Sequence, residues 1–359
     1  MDLRQQISKL SEDIKGLAAG HPLMNFMEVC GTHTMSIAKH GIRSLLPDNV
    51  RIISGPGCPV CVSTTSDIQN SIELAQRGIT VATFGDMLKV PGVETSLSSV
   101  PEILMIYSPL QAVQYALEHA DKEVVLLGIG FETTAPLMAA ALLKAKSLNL
   151  KNFSLYSMHR IVPPALSLLL EIPDSSIAGF ILPGHVSVIT GSDYYEFMKK
   201  YNTRGVIAGF EALDIMEALY LLVKSTVEGM TIIQNNYPGV VSAKGNIKAQ
   251  KISESVFENC DSVWRGIGSI KNSGLKIKDT FSTYNATLKF NITEQHLPDP
   301  PGCLCGSILL GKNIPTDCGH FGNTCTPANP VGPCMVSSEG TCAAYFKYNV
   351  IQPTDGRSK

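Results

Sequence analysis

The stretch VRIISGPGCPVCVSTTSDIQNSIELAQRGITVATFG, residues 50–85, decides the fold. A run rich in β-branched residues at 50–54 ends at a turn of glycine and proline, and a segment with helical spacing follows at about 64–77. A second β-branched run covers 79–84 and again ends at glycine. Strands that alternate with helices in this way predict a parallel sheet with helices on both faces.

The same alternation continues to about residue 225. A strand at 123–129 leads into GFETTAP and a helix at about 136–146, and we expect further strands at 152–158, 177–182 and 205–208. The pattern predicts the α/β class, with two similar Rossmann-like parallel-sheet units.

A weak internal echo supports the two units. The tripeptide Gly-Phe-Glu ends one predicted strand at 130–132 and another at 209–211. Ligands of such sheets bind at the loops that follow the carboxyl ends of the strands. Both GPGCPVC (55–61) and GFETT (130–134) occupy loops of that kind.

The composition changes near residues 225–230. Asn, Ser, Gly and Lys become frequent there, and a cysteine-rich stretch follows from 301 to 348. We therefore predict a first α/β domain at 45–122, a second at 123–228, and a cysteine-rich domain at 229–359 that is organised by a metal centre. The segment 1–44 is expected to pack near this last domain, and its apolar residues recur at helical spacing from Leu3 to Leu17.

Charge and hydropathy exclude several classes of protein. The chain has 359 residues, 29 Lys+Arg and 31 Asp+Glu, and this balance argues against a nucleic-acid binder with a basic surface. No signal-peptide h-region or apolar run long enough to span a bilayer is visible, so we expect no membrane partner and a cytoplasmic location. In a reducing compartment, ten cysteines favour metal ligation or redox chemistry over structural disulfides.

The C-terminal cysteines carry the strongest functional signal. The spacing Cys303-x14-Cys318-x6-Cys325-x16-Cys342 can bring four thiolates around one centre. The stretch has no C-x2-C knuckle, which favours a [4Fe-4S] cluster over zinc. The other reading is unligated buried cysteines. Two more cysteines stand in this stretch, Cys305 and Cys334.

Two further motifs contain thiols. Cys58-Pro-Val-Cys61 follows a strand and begins a helix, which is the context of thioredoxin-type redox pairs. Half of a zinc site, or two buried cysteines, would give the same sequence pattern. Cys30 precedes His33 by three residues, so on a helix the two would face one point and could hold a metal; such a pair is more often structural. In GFETT, Glu132 and its neighbouring threonines are more often helix caps than site residues.

Read together, these motifs resemble the HypD family, accessory proteins of [NiFe]-hydrogenase maturation. The matching strings follow the family's order: MEVCGTHT (27–34), GPGCPVC (55–61), GFETTAP (130–136), LPGHVS (182–187) and CTPANPVGPCMVSSEGTCAAY (325–345). The resemblance implies that the Fe(CN)2CO group of the hydrogenase is built on a complex with a HypC-like chaperone. It also implies that cyanide comes from a HypE-like donor, with a HypF-like protein upstream.

The resemblance also implies roles for individual residues. It assigns a [4Fe-4S] cluster to Cys303, Cys318, Cys325 and Cys342, with Cys305 as the rival for the first position and Cys334 as the spare. We expect Cys30 to hold the transient Fe(CN)2CO iron together with a thiolate of the partner. We expect Cys58 and Cys61 to cycle between dithiol and disulfide, with the cluster supplying electrons to this pair. His33, Glu132 and Thr133 would line the cavity and handle protons or cyanide.

Two other functions remain compatible with the motifs. One is a [4Fe-4S]-dependent thiol–disulfide oxidoreductase resembling ferredoxin-dependent thioredoxin reductases, which would have no need of the CGTHT loop. The other is a zinc-stabilised scaffold that only docks partners. Whether the protein is an enzyme in the strict sense stays open at this stage, because a scaffold for cofactor assembly need not turn over a free substrate.

Overall fold

The fold was analysed in a computed structural model that describes residues 2–173, 176–293, 295 and 297–348. Residues 349–359 of the predicted last domain, and Met1 of the segment expected to pack near it, lie outside these described residues. The strands are β1 (Met24–Glu28), β2 (Val50–Ser54), β3 (Thr80–Thr83), β4 (Ile103–Met105), β5 (Val124–Gly128), β6 (Phe153–Ser157), β7 (Ile177–Pro183), β8 (Gly205–Ala208), β9 (Ile233–Asn235), β10 (Phe257–Trp264) and β11 (Gly268–Ile277).

Helices connect and cover these strands. The α-helices are α1 (Leu3–Ala18), α2 (Gly31–Lys39), α3 (Pro59–Val62), α4 (Thr65–Gln76), α5 (Pro109–Glu118), α6 (Ala135–Ser147), α7 (Val162–Glu171), α8 (Gly184–Thr190), α9 (Ala212–Val227), α10 (Ile247–Val256), α11 (Ala286–Lys289), α12 (Cys305–Leu309), α13 (Pro333–Val336) and α14 (Thr341–Tyr348). Short 3-10 helices lie at Ile42–Leu45, Gly85–Met87, Leu97–Ser99, Ser192–Tyr201, Asp279–Tyr284 and Pro315–Asp317.

Two parallel sheets form the frame of the molecule. The first has the strand order β2-β1-β7-β8-β9 and the second the order β4-β3-β5-β6, and every pairing in both is parallel. Strands β10 and β11 form a separate antiparallel hairpin. The predicted class, two parallel-sheet α/β units and a cysteine-rich region, is confirmed.

The central strands of these sheets are buried on both faces, as their apolar sequences require. All five residues of β5 are buried, and each Val or Leu side chain removed from water stabilises the fold by roughly 1.5–3 kcal/mol. Local signals set the helix starts. The α4 helix begins after Thr64, whose hydroxyl accepts a hydrogen bond from the Asp67 amide while the Asp67 carboxylate accepts one from the Thr64 amide.

The strand pairing follows a different division of the chain from the predicted domains. Strand β2, in the predicted first unit, pairs with β1 in the first sheet, whereas β3 and β4 belong to the second sheet. Strand β1 lies between β2 and β7, so the segment 1–44 supplies a strand of the first sheet as well as the amphipathic helix α1, which packs on α9. Parallel strands need long crossovers, and these allow neighbours in a sheet to be distant in sequence.

The cysteine-rich region lies against the first sheet. Helix α14 packs on α2, and α13 packs on α3, the turn that carries Cys61. The β10–β11 hairpin packs on α7 and reaches the same region through its own turn, where Gly266 lies against Gly306. No helix within the described ranges is long and apolar enough to cross a membrane.

Candidate metal and redox site

The motif strings of the sequence lie where parallel strands end. The CGTHT loop follows β1 and GPGCPVC follows β2, its direct neighbour in the first sheet. The HVS segment follows β7 and the second Gly-Phe-Glu follows β8, whereas GFETT follows β5 of the second sheet. Strand ends of a parallel sheet share one edge, which is where such folds bind ligands.

The first two loops are in direct contact through their backbones. The Gly31 amide donates a hydrogen bond of 2.9 Å to the Gly57 carbonyl, and the Gly55 amide donates one of 2.8 Å to the Glu28 carbonyl. A Cβ at Gly57 would lie 2.2 Å from the Cys30 nitrogen, so only glycine fits there. This contact places the Cys30 backbone beside the start of the Cys58–Cys61 turn.

Cys30 lies at the start of α2 and is 8% exposed. Burial, reinforced by the nearby carboxylate of Glu339, raises the pKa of its thiol to about 12, although the backbone amides of His33 and Thr32 act in the opposite direction. A metal ion or other cation at this position would replace the missing solvation of the thiolate, because soft thiolates are strong ligands for such ions.

Glu339 is a site residue that the sequence reasoning missed. The Thr32 hydroxyl donates a hydrogen bond of 2.7 Å to the Glu339 carboxylate and lies 3.4 Å from the Nδ1 atom of His185. The side chain of Glu339 also lies against Gly31, where a Cβ would meet its own Cβ at 2.4 Å. The only signal available was its place in the string VSSEGTC, which matches the family motif.

A second carboxylate, that of Glu28, is buried and contacts the Cys30 backbone. Glu28 is fully buried at the end of β1, accepts a hydrogen bond of 3.2 Å from the Cys30 amide and another of 2.6 Å from the Thr34 hydroxyl. Burial raises the pKa of the Glu28 carboxyl to about 7, and the nearby Arg43 lowers it only in part. This carboxylate orients the turn between β1 and α2.

His33 is held by the first sheet. Its Nε2 atom donates a hydrogen bond of 2.8 Å to the Gly209 carbonyl, and its ring packs on Phe210 at 4.8 Å between centroids. Within the described residues its buried Nδ1 atom has no hydrogen-bond partner. Burial lowers the pKa of the ring to about 4, so His33 is neutral at physiological pH and Nδ1 is a lone-pair acceptor.

The GFETT loop reaches the site through two tyrosines. The Glu132 carboxylate accepts hydrogen bonds of 2.8 Å from the Val162 amide and from the Tyr194 hydroxyl, and burial raises its pKa to about 7. Thr133 beside it is half-buried. Burial raises the pKa of Tyr195, and the charges of Glu132 and Cys30 raise it further, so this phenol lies within electrostatic reach of both loops.

Cys58 and Cys61 form a disulfide in the structure, with Cα atoms 5.2 Å apart. Both are buried in the same apolar core as the C-terminal cysteines, and Cys58 precedes the short helix α3. The redox state that the sequence left open is therefore the oxidised one here. This disulfide lies within one strand-end loop, and it is an electron acceptor that can be reopened to two thiols.

Five of the C-terminal cysteines line one small, tightly closed pocket. They are Cys303, Cys305, Cys318, Cys325 and Cys342, and the pocket is closed by Leu304, Ile308, His320, Phe321, Gly332 and Met335. The sulfurs of Cys303 and Cys305 lie 3.3 Å apart. A Cβ at Gly332 would sit 2.7 Å from both, so the absence of a side chain there leaves room beside these two thiols.

The sixth cysteine lies just outside this pocket. Cys334 is fully buried and contacts the thiols of Cys305 and Cys342, which raise its pKa. Hydrogen bonds with Cys305 and Cys334 lower the pKa of Cys342. Among the described residues no three His, Cys, Asp or Glu side chains are arranged around a single-ion position. The thiol donor set is that of an iron–sulfur cluster or zinc, and the predicted choice between Cys303 and Cys305 stays a prediction.

Comparison with known proteins is consistent across the whole chain. The family model HypD, described as hydrogenase formation hypA family, matches residues 5–349. The chain is 43% identical to the hydrogenase maturation factor HypD of Azotobacter vinelandii, covering 90% of this chain and 88% of that protein. It is 40% identical to the HypD protein of Escherichia coli strain K12, covering 96% and 93%.

These matches include the strand-end loops and the cysteine-rich region described above. A family model over residues 5–349 and identities of 40% and more over most of both chains are enough to establish kinship. The chain therefore belongs to the HypD family, whose curated relatives are hydrogenase maturation factors.

Proposed function

We propose that this protein is a maturation factor for [NiFe]-hydrogenase on which the Fe(CN)2CO group is assembled. The observation that carries the proposal is the backbone contact between Gly57 and Cys30, which joins an isolated buried thiol to a disulfide turn. The iron is cargo, bound by Cys30 together with a thiolate from a HypC-like chaperone. Cyanide arrives from a HypE-like donor served by a HypF-like protein, and the assembly takes place in the cytoplasm.

The residues around Cys30 prepare it for this cargo. Glu28 and the first turn of α2 fix its position, and Glu339 with Thr32 forms a polar wall at the same place. A cationic iron offsets the burial that otherwise keeps the thiol protonated. His33, held neutral at Gly209, keeps an unshared lone pair in the interior.

The cysteine pocket fits a [4Fe-4S] cluster by its donor set. Its five thiols supply more than the four ligands that such a cluster needs, and Gly332 leaves space beside two of them. Of these we assign Cys303, Cys318, Cys325 and Cys342 as ligands. A bound cluster supplies single electrons at low potential.

The disulfide turn is the redox partner of the iron site. Opening Cys58–Cys61 consumes two electrons and two protons and leaves two thiols, so an external low-potential electron donor must supply both electrons. Glu132 is hydrogen bonded to Tyr194 and carries a carboxyl whose pKa is raised to about 7, which suits proton exchange near neutrality. Thr133 lines the same loop.

The test is infrared spectroscopy with iron and sulfide analysis on anaerobically co-expressed protein and HypC-like chaperone. Wild type is expected to show cyanide and carbon monoxide bands and about four sulfides per chain. Cys30→Ala should lose the bands and keep the sulfide, with the Cys260→Ala protein as a matched control that keeps both. Loss of the cluster in Cys30→Ala would refute this division of labour.

One observation favours a second function, a [4Fe-4S]-dependent thiol–disulfide oxidoreductase. The Cys58–Cys61 disulfide shares an apolar core with the cysteine pocket, and α3 packs on α13. Such an enzyme would reduce protein disulfides without Cys30 and would show no infrared bands. Disulfide-reducing activity that survives Cys30→Ala, in protein without cyanide bands, would favour it.

A further inference from the structure

Arg265 joins the disulfide turn to the cysteine-rich segment. It stands in the tight turn of the β10–β11 hairpin, and its side chain is 1% exposed. Its backbone amide donates a hydrogen bond of 2.9 Å to the Val62 carbonyl, and its Nε atom donates one of 2.7 Å to the Ser63 carbonyl. Two bonds therefore hold the chain immediately after Cys61.

The other side of the guanidinium faces the cysteine-rich segment. The Nη1 atom donates a hydrogen bond of 2.7 Å to Asp299, four residues before Cys303. The next residue of the hairpin, Gly266, lies so close to Gly306 that a Cβ would meet its Cα at 2.1 Å. The hairpin turn therefore packs between α3 and α12.

The charge of Arg265 is only partly compensated. Asp299 is 40% exposed, and water screens its carboxylate more than it screens the buried guanidinium. Within the described part of the chain the Nη2 atom is buried and has no hydrogen-bond partner.

We propose that Arg265 is a positioning residue that sets the reduction potentials of both the Cys58–Cys61 disulfide and the C-terminal cluster. This inference rests on the proposed function, because it takes both groups as redox-active. Reduction adds negative charge at either group, and a buried positive charge stabilises the reduced form. Because one guanidinium touches both segments, it keeps both potentials higher and moves them together.

The disulfide is tested by equilibration with dithiothreitol, followed by alkylation and mass spectrometry. Dithiothreitol gives up two electrons and two protons and becomes a cyclic disulfide, while Cys58 and Cys61 become thiols. We expect Arg265→Gln to lower the equilibrium constant for this exchange about tenfold, which is about 30 mV for a two-electron couple. The cluster is tested by a redox titration followed by electron paramagnetic resonance, and the same tenfold loss is about 59 mV for one electron.

Three further variants separate charge from structure. Arg265→Lys keeps the charge and loses the planar guanidinium. The equilibrium constants for reduction of both groups should therefore stay within about threefold of the wild-type values. Asp299→Asn removes the counter-charge at a half-exposed position and should shift both potentials in the opposite direction to Arg265→Gln. Arg160→Gln is the matched control: Arg160 is equally buried, pairs with Asp67 and donates to the same hairpin at Val263.

The outcomes distinguish this inference from the function on which it rests. Wild-type protein that holds neither a reducible cluster nor a reducible disulfide would overturn the proposed function itself. Redox-active wild type with potentials unchanged in both Arg265→Gln and Asp299→Asn would overturn only the role of Arg265. An equal shift in Arg160→Gln, or one in Arg265→Lys as large as in Arg265→Gln, would also overturn it. If Arg265→Gln does not fold, the positive shift in Asp299→Asn decides the question.

Discussion

Gly57→Ala is the sharpest test of how the candidate site is built. The new Cβ would lie 2.2 Å from the Cys30 nitrogen and 2.3 Å from the Val29 carbonyl carbon, both of them backbone atoms that cannot rotate away. Real Cβ contacts do not fall below 3.0 Å, so the two loops must part by at least 0.8 Å, the difference between 3.0 and 2.2 Å. That separation breaks or stretches the Gly31–Gly57 hydrogen bond.

The magnitude follows from these two effects. Forcing extra volume into a packed contact costs about 1–3 kcal/mol, and the lost hydrogen bond costs about 1 kcal/mol more. We expect Gly57→Ala to lower the free energy of unfolding by about 2–4 kcal/mol in urea titrations. Iodoacetamide should alkylate Cys30 faster in the variant, because the loop that covers it has moved.

The control for this prediction is Gly239→Ala. A Cβ at Gly239 meets nothing within 4 Å, and its backbone is not left-handed, so the change should be neutral or slightly stabilising. Gly57→Ala protein with the stability of wild type, and with Cys30 labelled at the wild-type rate, would refute the argument that this glycine holds the two loops together.

Three other predictions follow from single contacts. Burial raises the Glu132 carboxyl pKa from 4.5 to about 7, so the native state binds more protons than the unfolded chain in that window and loses stability as pH rises. The free energy of unfolding of Glu132→Gln, measured in urea relative to wild type, should therefore rise by up to about 3 kcal/mol from pH 5 to pH 8. The same difference between variant and wild type at both pH values would contradict this. Glu339→Gln removes a charge that raises the Cys30 pKa, so Cys30 should be alkylated severalfold faster at pH 8, and an unchanged or slower rate would count against the contact. Thr64→Ala removes the N-cap of α4 and should lower the free energy of unfolding by about 1 kcal/mol. A decrease smaller than about 0.3 kcal/mol would contradict the capping role of Thr64.

Much of the fold could be read from local pattern. The β-branched runs of β2, β3 and β5 were located to within a residue, because buried parallel strands are continuous apolar runs with clear breakers at their ends. The β10–β11 hairpin was not predicted. Its strands are rich in Asn, Ser, Lys and Glu and mostly half-exposed, so no apolar run marks them.

The pairing of the strands and the composition of the candidate site could not be predicted from any short stretch of the sequence. Strand β1 was seen only as an apolar run before Cys30, and its place between β2 and β7 joins segments about 150 residues apart. Glu339 contacts Thr32 across 307 residues of sequence. A half-exposed glutamate near a helix start has no pattern of its own, so only the folded chain reveals that it lies at Cys30.

The positions of the cysteines give a physical reason for the pairing of sequence-distant strands in the first sheet. A thiol that holds iron must stay free while a nearby disulfide opens, and a single flexible loop with three cysteines would allow any two of them to pair. Here Cys30 and Cys58 stand at the ends of adjacent parallel strands, with Gly57 pressed against the Cys30 backbone. The glycine contact fixes one loop against the other, and the short helix α3, which carries Cys61, packs on α13. Rigid strand ends thus bring the Cys30 thiol and the Cys58–Cys61 pair close together while restricting exchange between them, which a cysteine-rich loop alone would not do.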